Sequence, residues 1–258
     1  MSEWWTYSLT NFLLFSPRTY YRLFELYNAD VWPLQFVTLA LGVAIAFLVW
    51  RPRAWSGRAI AAILAVLWLF VAWAYFLERY DTINWVARYV AIAFVLQAAL
   101  LVWTGVIRAR LKFGTSDPQT PLIPAQAGIQ NTGPALSIFK SWVPAFAGTS
   151  GARWAGLALF LYSLAIHPLI APLTGHPIAQ AEIFGLAPDP TTIATLGILL
   201  AADRPSLHLF AVPFLWCLVT GLTLWSMESP EAPVAPLFGL LAVALAIPKA
   251  LAARRKMR

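Results

Sequence analysis

Charge is scarce in this chain. Of its 258 residues only 11% are Asp, Glu, Lys or Arg, against 60% hydrophobic and 14% aromatic. So few charges cannot coat so much apolar surface, which excludes an ordinary water-soluble domain. Cysteine is scarcer still: Cys217 stands alone, ruling out an internal disulfide framework or a thiolate metal cluster. Catalytic signatures are missing too, with no glycine-rich phosphate loop, no HExxH, no paired cysteines and no GxSxG elbow. An integral membrane enzyme therefore ranks behind the readings below, and no cofactor is expected.

The net charge is +7, but the cations sit in short clusters beside apolar runs. That pattern orients a membrane protein more often than it binds phosphate backbones, so the expected partner is the lipid bilayer and not nucleic acid. The opening MSEWWTYS lacks the basic start and short apolar core of a cleavable signal, and is expected to be retained.

What is present is a series of apolar segments. Residues 1–30 read as an N-terminal interfacial segment: Ser16 and Pro17 start a helix on which Tyr20, Leu23, Phe24 and Tyr27 share one face, with Arg18, Arg22 and Glu25 elsewhere. Such a helix lies in the membrane interface, or else serves as a lid or partner-binding element. Residues 31–112 hold three transmembrane helices, at 31–50, 59–77 and 85–107. The pairs Trp32/Trp50 and Trp85/Trp103 are each separated by about 27 Å of helix, one indole per headgroup layer.

Residues 113–152 are rich in Gly, Pro, Ser, Thr and Gln and read as a flexible inserted loop. Within it IPAQAGIQ and WVPAFAGT resemble the translated arms of a palindromic repeat found in many Gram-negative genomes. Residues 153–258 add helices 4–7 and a basic tail. The fourth span, 153–173, has Pro168 and Pro172 in its last turns, where a kink or early end is expected. A short run at 191–202 follows, then 207–226, 234–251 and the tail of Arg254, Arg255, Lys256 and Arg258.

The short run decides the topology. As a helix it extends only about 18 Å. Counted as a span, it gathers Arg51, Arg53 and Arg58, then Arg108, Arg110, Lys112, Lys140 and Arg153, then Asp203 with Arg204, and the tail on one side. Glu78, Arg79 and Asp81, Glu182 and Asp189, and Glu228 and Glu231 fall on the other. Without it the basic tail and the loop at 228–231 exchange sides. The expected fold is therefore all-α, a polytopic transmembrane helical bundle of about seven spans. It sits multi-pass in a bacterial inner (plasma) membrane with its N-terminus outside and its C-terminus cytoplasmic.

Candidate binding residues fall at the outer mouth of that arrangement. His167, His176, Asp189, Thr191 and Thr192 come from the ends of spans four and five, and Glu78, Arg79, Asp81 and Asn84 from the turn after span two. Asp189 before Pro190 reads as an N-cap carboxylate with proline in the first helical position. His208 begins the sixth span at the opposite face, which argues against a three-histidine zinc site; any metal role for the other two histidines is left open. No Asp, Glu or Lys lies near the centre of an apolar segment, which counts against an ion-coupled pump.

The opening SEWWTYSLTNFLLFSPRTYYRLFELYNADVWP, the RYDTINW turn, the GHP turn and the segment PDPTTIATLGILL resemble a bacterial membrane family catalogued as domain of unknown function 6064. The likeness covers most of the chain except 113–152, where the family has a short connection, and members are sometimes labelled permeases. In that family's pattern the position of Asp189 is more often cysteine, a departure that speaks against a thiolate ligand here. The leading expectation is a permease-like protein that binds or passes a small solute near the outer ends of spans four and five, where broken helices present backbone dipoles. The alternative is a non-catalytic membrane accessory or assembly factor that docks through its aromatic-rich helices.

Overall fold

A computed structural model describes residues 15–114 and 149–255. Nearly all of the expected inserted loop, 113–152, thus lies outside the described residues, as do the opening residues and the end of the basic tail. Among the described residues there are eight helices and no strand.

Helix α1 (Pro17–Asp30) starts as the sequence implies, with the Thr19 N–H donating to Ser16 Oγ at 3.2 Å and proline in the first turn. Its apolar face of Tyr20, Leu23, Phe24 and Tyr27 is buried, but against protein. Phe24 and Tyr27 pack on the Tyr75 ring at centroid distances of 5.3 and 5.7 Å. Helix α2 (Leu34–Trp50) departs from α1 at 88°. The amphipathic helix therefore lies across one end of the bundle and caps it.

Helix α3 (Ser56–Phe70) runs on through π-helical turns to Leu77, and α4 (Ala87–Leu101) likewise to Ile107. Helix α5 (Thr149–Leu161) loosens at Tyr162 and reaches Leu173 by way of a 3-10 turn at His167–Leu169. Pro168 and Pro172, which cannot donate to an α-helical ladder, lie in that loosened stretch. Helices α7 (Ala211–Ser226) and α8 (Val234–Arg255) complete the outer ring. Five stretches are long and apolar enough to cross a membrane: Ser56–Thr82, Ala87–Ile107, Gly151–Leu173, Leu207–Ser226 and Val234–Arg254. The bent pair α1–α2 would make a sixth. Phe36, Phe47, Val66, Trp73, Ile92, Leu96, Leu222 and Leu240 are among the large apolar side chains left exposed on the ring. Water selects against so much exposed apolar surface, whereas a hydrocarbon solvent accepts it.

The run expected as the fifth of seven spans forms α6 (Pro188–Ala201), too short to join those five, and every one of its 14 residues is buried. It packs antiparallel to α5 through glycines. A Cβ added at Gly156 would meet the Gly197 carbonyl oxygen at 2.4 Å, and one at Gly197 would meet the Phe160 nitrogen at 2.8 Å. Ala152 and Ala201, four residues from those glycines, are also buried, so small residues let the two backbones touch.

Hydrogen bonds trace the chain through the bundle. Asn28 Nδ2, at the end of α1, donates to the Ala179 and Ala181 carbonyls, both at 2.9 Å. The chain then turns inward at Gly185 (φ +80°), whose N–H donates to Thr191 Oγ1 at 2.9 Å. Helix α6 begins beside Ser163, near the middle of Gly151–Leu173, whose hydroxyl donates to the Pro190 carbonyl. It ends at the far side, where the Asp203 N–H donates to the Lys112 carbonyl at 2.9 Å and Lys249 Nζ to the Leu200 carbonyl at 2.7 Å. The chain thus passes from one end of the bundle to the other, a turn making up the first half and a helix the second. Hydrocarbon thickness dictates helix length only where lipid touches the helix, and α6 has no such face.

The end at which α6 finishes also holds Arg153, whose guanidinium donates to the Val49 carbonyl at 3.0 Å, and the cations of 108–112. This is the basic end; the other is the capped end.

Candidate functional site

Three elements meet inside the capped end: the connection 174–187, the first turn of α6 and the middle of α7. Asp189 lies in that first turn, 3% exposed. The helix starts at Pro188 with Ala187 as its N-cap and no side-chain capping bond, so Asp189 does not cap it as the sequence suggested. Its carboxylate instead reaches α7, accepting from Trp216 Nε1 at 2.6 Å and Thr220 Oγ1 at 2.8 Å. Both donors lie within Leu207–Ser226, Trp216 near its middle, which sets the carboxylate at the mid-depth of the bundle. An acid in the first turn also suits the positive end of the helix dipole. Thr192 donates to the Asp189 carbonyl at 2.8 Å and Thr191 to the Ala187 carbonyl at 2.6 Å; both hydroxyls tighten the helix start.

Glu182 precedes the inward turn. Its side chain is 16% exposed, and its Oε2 lies 3.8 Å from Nε2 of His167, itself 7% exposed. Burial pushes the Glu182 carboxyl up to about 8; the negative charge of Glu231 adds to the rise and a Tyr20 hydrogen bond opposes it. Glu182 Oε2 and His167 Nδ1 are covered yet have no hydrogen-bond partner, as is also true of Oε1 in Gln35 and Gln180 nearby. Buried polar atoms are paired almost everywhere in folded proteins, so these unpaired ones stand open to a water or a ligand. Among the described residues neither Glu182 nor Asp189 has a lysine or arginine partner.

Helix α1 closes this region. The Tyr21 hydroxyl donates to Glu231 Oε1 at 2.7 Å and lies 3.0 Å from Ser229 Oγ. The Tyr21 ring stacks on His176 at 3.8 Å. Gln180 Nε2 donates to Glu25 on α1 at 3.2 Å.

The residues expected at one outer mouth divide into three places. His167, Asp189, Thr191 and Thr192 are interior. His176 lines a surface hollow with Arg18, Tyr21 and Ser229. Arg79, with Thr82 and Ile83, lines a different hollow along α1 that also includes Arg22 and Glu25. Arg79 pairs with Asp30 and Asp81 with Arg88, while Asn84 Oδ1 accepts the Val86 N–H at 3.0 Å. Those contacts shape the turn after α3, as does the position of Glu78 as its C-cap. His208 lies at the basic end, its Nε2 3.0 Å from Thr104 Oγ1, apart from the other histidines. No group of three or more His, Cys, Asp or Glu is placed to hold a metal ion among the described residues.

Glu182, Trp216, Thr220 and Tyr21 were not among the binding residues expected from the sequence. Glu182 carried a signal: a single acid followed by Ile183, Phe184 and Leu186 is an unusual place for a solvated loop charge. Trp216 carried none, since an indole in an apolar helix is unremarkable.

The model of the DUF6064 family, described as a family of unknown function, matches residues 18–122 and 139–257. Its interruption falls inside the segment read as an insertion. No curated protein and no solved structure matches the chain.

Proposed function

The chain belongs to the DUF6064 family of unknown function, and we propose that it is an integral membrane protein of the permease type that binds a small cationic solute where its fifth crossing is broken. The observation that carries this reading is the pair of carboxylates, Glu182 and Asp189, enclosed by the bundle with no lysine or arginine partner among the described residues. A buried carboxylate without a counter-charge costs several kcal/mol unless it takes up a proton or meets a cation. The unpaired Glu182 Oε2 and His167 Nδ1 offer acceptor positions to such a guest. Membrane transporters place substrates at discontinuous helices near mid-depth, the position of the α6 start. Ionisable groups at such depth are rare outside function. The excess of cations at the basic end supports reading that end as the cytoplasmic one in a bacterial inner membrane, with the capped end outside.

The test is a thermal-shift screen of the detergent-purified chain with ammonium, methylated amines and short diamines as probes. A saturable rise in the melting midpoint, abolished in Glu182→Gln and retained in Arg88→Ala, supports the reading. No response to any amine, together with recovery of one stoichiometric protein partner, overturns it in favour of an accessory or assembly factor.

A further inference from the structure

The basic end carries a second site, independent of the carboxylates. Between the last residues of the α4 stretch, the turn after α6 and the last turns of α8 lies a cleft of about 770 Å³. Arg108, Arg110, Lys112, Arg204 and Arg254 line it, with Asp203 the only carboxylate among the lining residues. We propose that this cleft binds a phosphate-bearing anion.

The cations are arranged by the fold and are not a free basic run. Past Ile107 the chain forms a strap in which Leu111 and Phe113 are buried, at 3% and 4% exposure, while Arg108, Arg110 and Lys112 are exposed. Along Arg110, Leu111, Lys112 and Phe113 exposed cations alternate with buried anchors, so the two kinds face opposite ways. The anchoring is tight: a Cβ added at Gly57 would sit 1.8 Å from the Leu111 carbonyl oxygen. Ala109 is held at φ 47°, a backbone conformation that costs a non-glycine residue energy and persists only when its surroundings impose it. The far edge is clamped by the Asp203 N–H on the Lys112 carbonyl at 2.9 Å and by the Gly114 N–H on Asp203 Oδ1 at 3.1 Å. Oδ1 of that carboxylate accepts from backbone, and among the described lining residues the cations outnumber it.

Guanidinium and ammonium groups converging on one cleft match the several oxygens of a phosphate better than the two of a carboxylate. Leu207, Ala250 and Ala253 supply apolar lining, and Trp103, 49% exposed under the Arg108 guanidinium, stands where indoles mark the headgroup layer. Phosphate in that setting comes from an anionic lipid headgroup or from a soluble phosphorylated molecule. Basic pockets between helices on the cytoplasmic side hold the former.

The experiment is lipid titration of the full chain in detergent, read by native mass spectrometry and by melting midpoint, with cardiolipin, phosphatidylglycerol, phosphatidylcholine and inorganic pyrophosphate as probes. Saturable binding of the anionic lipids and not phosphatidylcholine is expected. Loss of two cations in Arg110→Gln/Lys112→Gln should weaken it about thirtyfold. The single variant Arg254→Gln, remote from the strap, should weaken it less, and Arg51→Gln/Arg53→Gln, basic but outside the cleft, should leave it unchanged. Pyrophosphate that binds saturably and displaces lipid would identify a soluble phosphate as the source and still support the site. Absence of saturable binding by every anion, or an equal loss in Arg51→Gln/Arg53→Gln, overturns it.

Discussion

Helix α4 and helix α6 are built from similar apolar residues and are treated in opposite ways by the fold. Helix α4 belongs to a 21-residue stretch whose window of highest hydropathy is 39% buried, leaving Ile92, Val95 and Leu96 exposed. Helix α6 has 14 residues and no exposed one. The first has a length dictated by its solvent and side chains dictated only to be apolar. The second is free of the length requirement, but each of its faces must fit a protein neighbour. Its polar groups must also find partners inside, as the hydroxyl of Thr195 does on the Thr191 carbonyl at 2.7 Å and with Trp68 Nε1 at 2.9 Å. A buried short helix can therefore begin at mid-depth and place a carboxylate there, which a lipid-facing helix cannot do cheaply.

The contrast is broken most severely at the glycine contact. Gly197→Leu would drive a side chain into the α5 backbone and should cost more than about 3 kcal/mol or prevent folding altogether. The matched change on the ring, Leu96→Ala, should stay within about 0.5 kcal/mol, as surface substitutions do. Melting midpoints and monodispersity in detergent read both, and equal effects would mean that α6 is not the enclosed element described.

An intermediate effect is expected from pH. With the Glu182 carboxyl raised to about 8 in the fold and near 4.3 when unfolded, the folded chain holds the extra proton between those values. Stability contributed by that proton is full below the lower value and is lost as pH rises through the upper one. The slope is at most about 1.4 kcal/mol per pH unit. Glu182→Gln should flatten it, and an unchanged pH profile would show that Glu182 is solvated. The smallest effect belongs to the rim. Arg88→Ala removes an exposed ion pair to Asp81, worth less than about 1 kcal/mol and fading with added salt, as a melt at two ionic strengths would register.

Much of the architecture was legible because long apolar runs and clustered charges follow simple rules that can be read along a sequence. Apolar runs marked the ring helices, and the clusters at Arg51, Arg108 and Arg153 marked a common end. Tyr20, Leu23, Phe24 and Tyr27 announced the amphipathic face of α1. The charge balance also required the chain to pass between the two ends around 191–202, and it does so in two halves, a turn and then α6. Less was legible at the site. His167 and Asp189 were named, but as residues of a polar outer mouth. Their enclosure follows from the connection 174–187 passing inside the ring, at which the apolar run after Glu182 gives only a hint. Glu182 looked like one more loop charge, and Lys249, 1% exposed, like one more basic residue near the tail.

By itself the sequence determined which segments shun water, where α1 starts, and at which end of the bundle the cations collect. These depend on side chains within one segment and on the solvent around it. Only the tertiary structure decided that α1 rests on protein rather than lipid, that α6 is enclosed, and that Glu182, His167 and Asp189 share one interior. Those outcomes rest on which backbone can approach which, as Gly156 of α5 and Gly197 of α6 do, and contacts of that kind leave no pattern along a single stretch of chain.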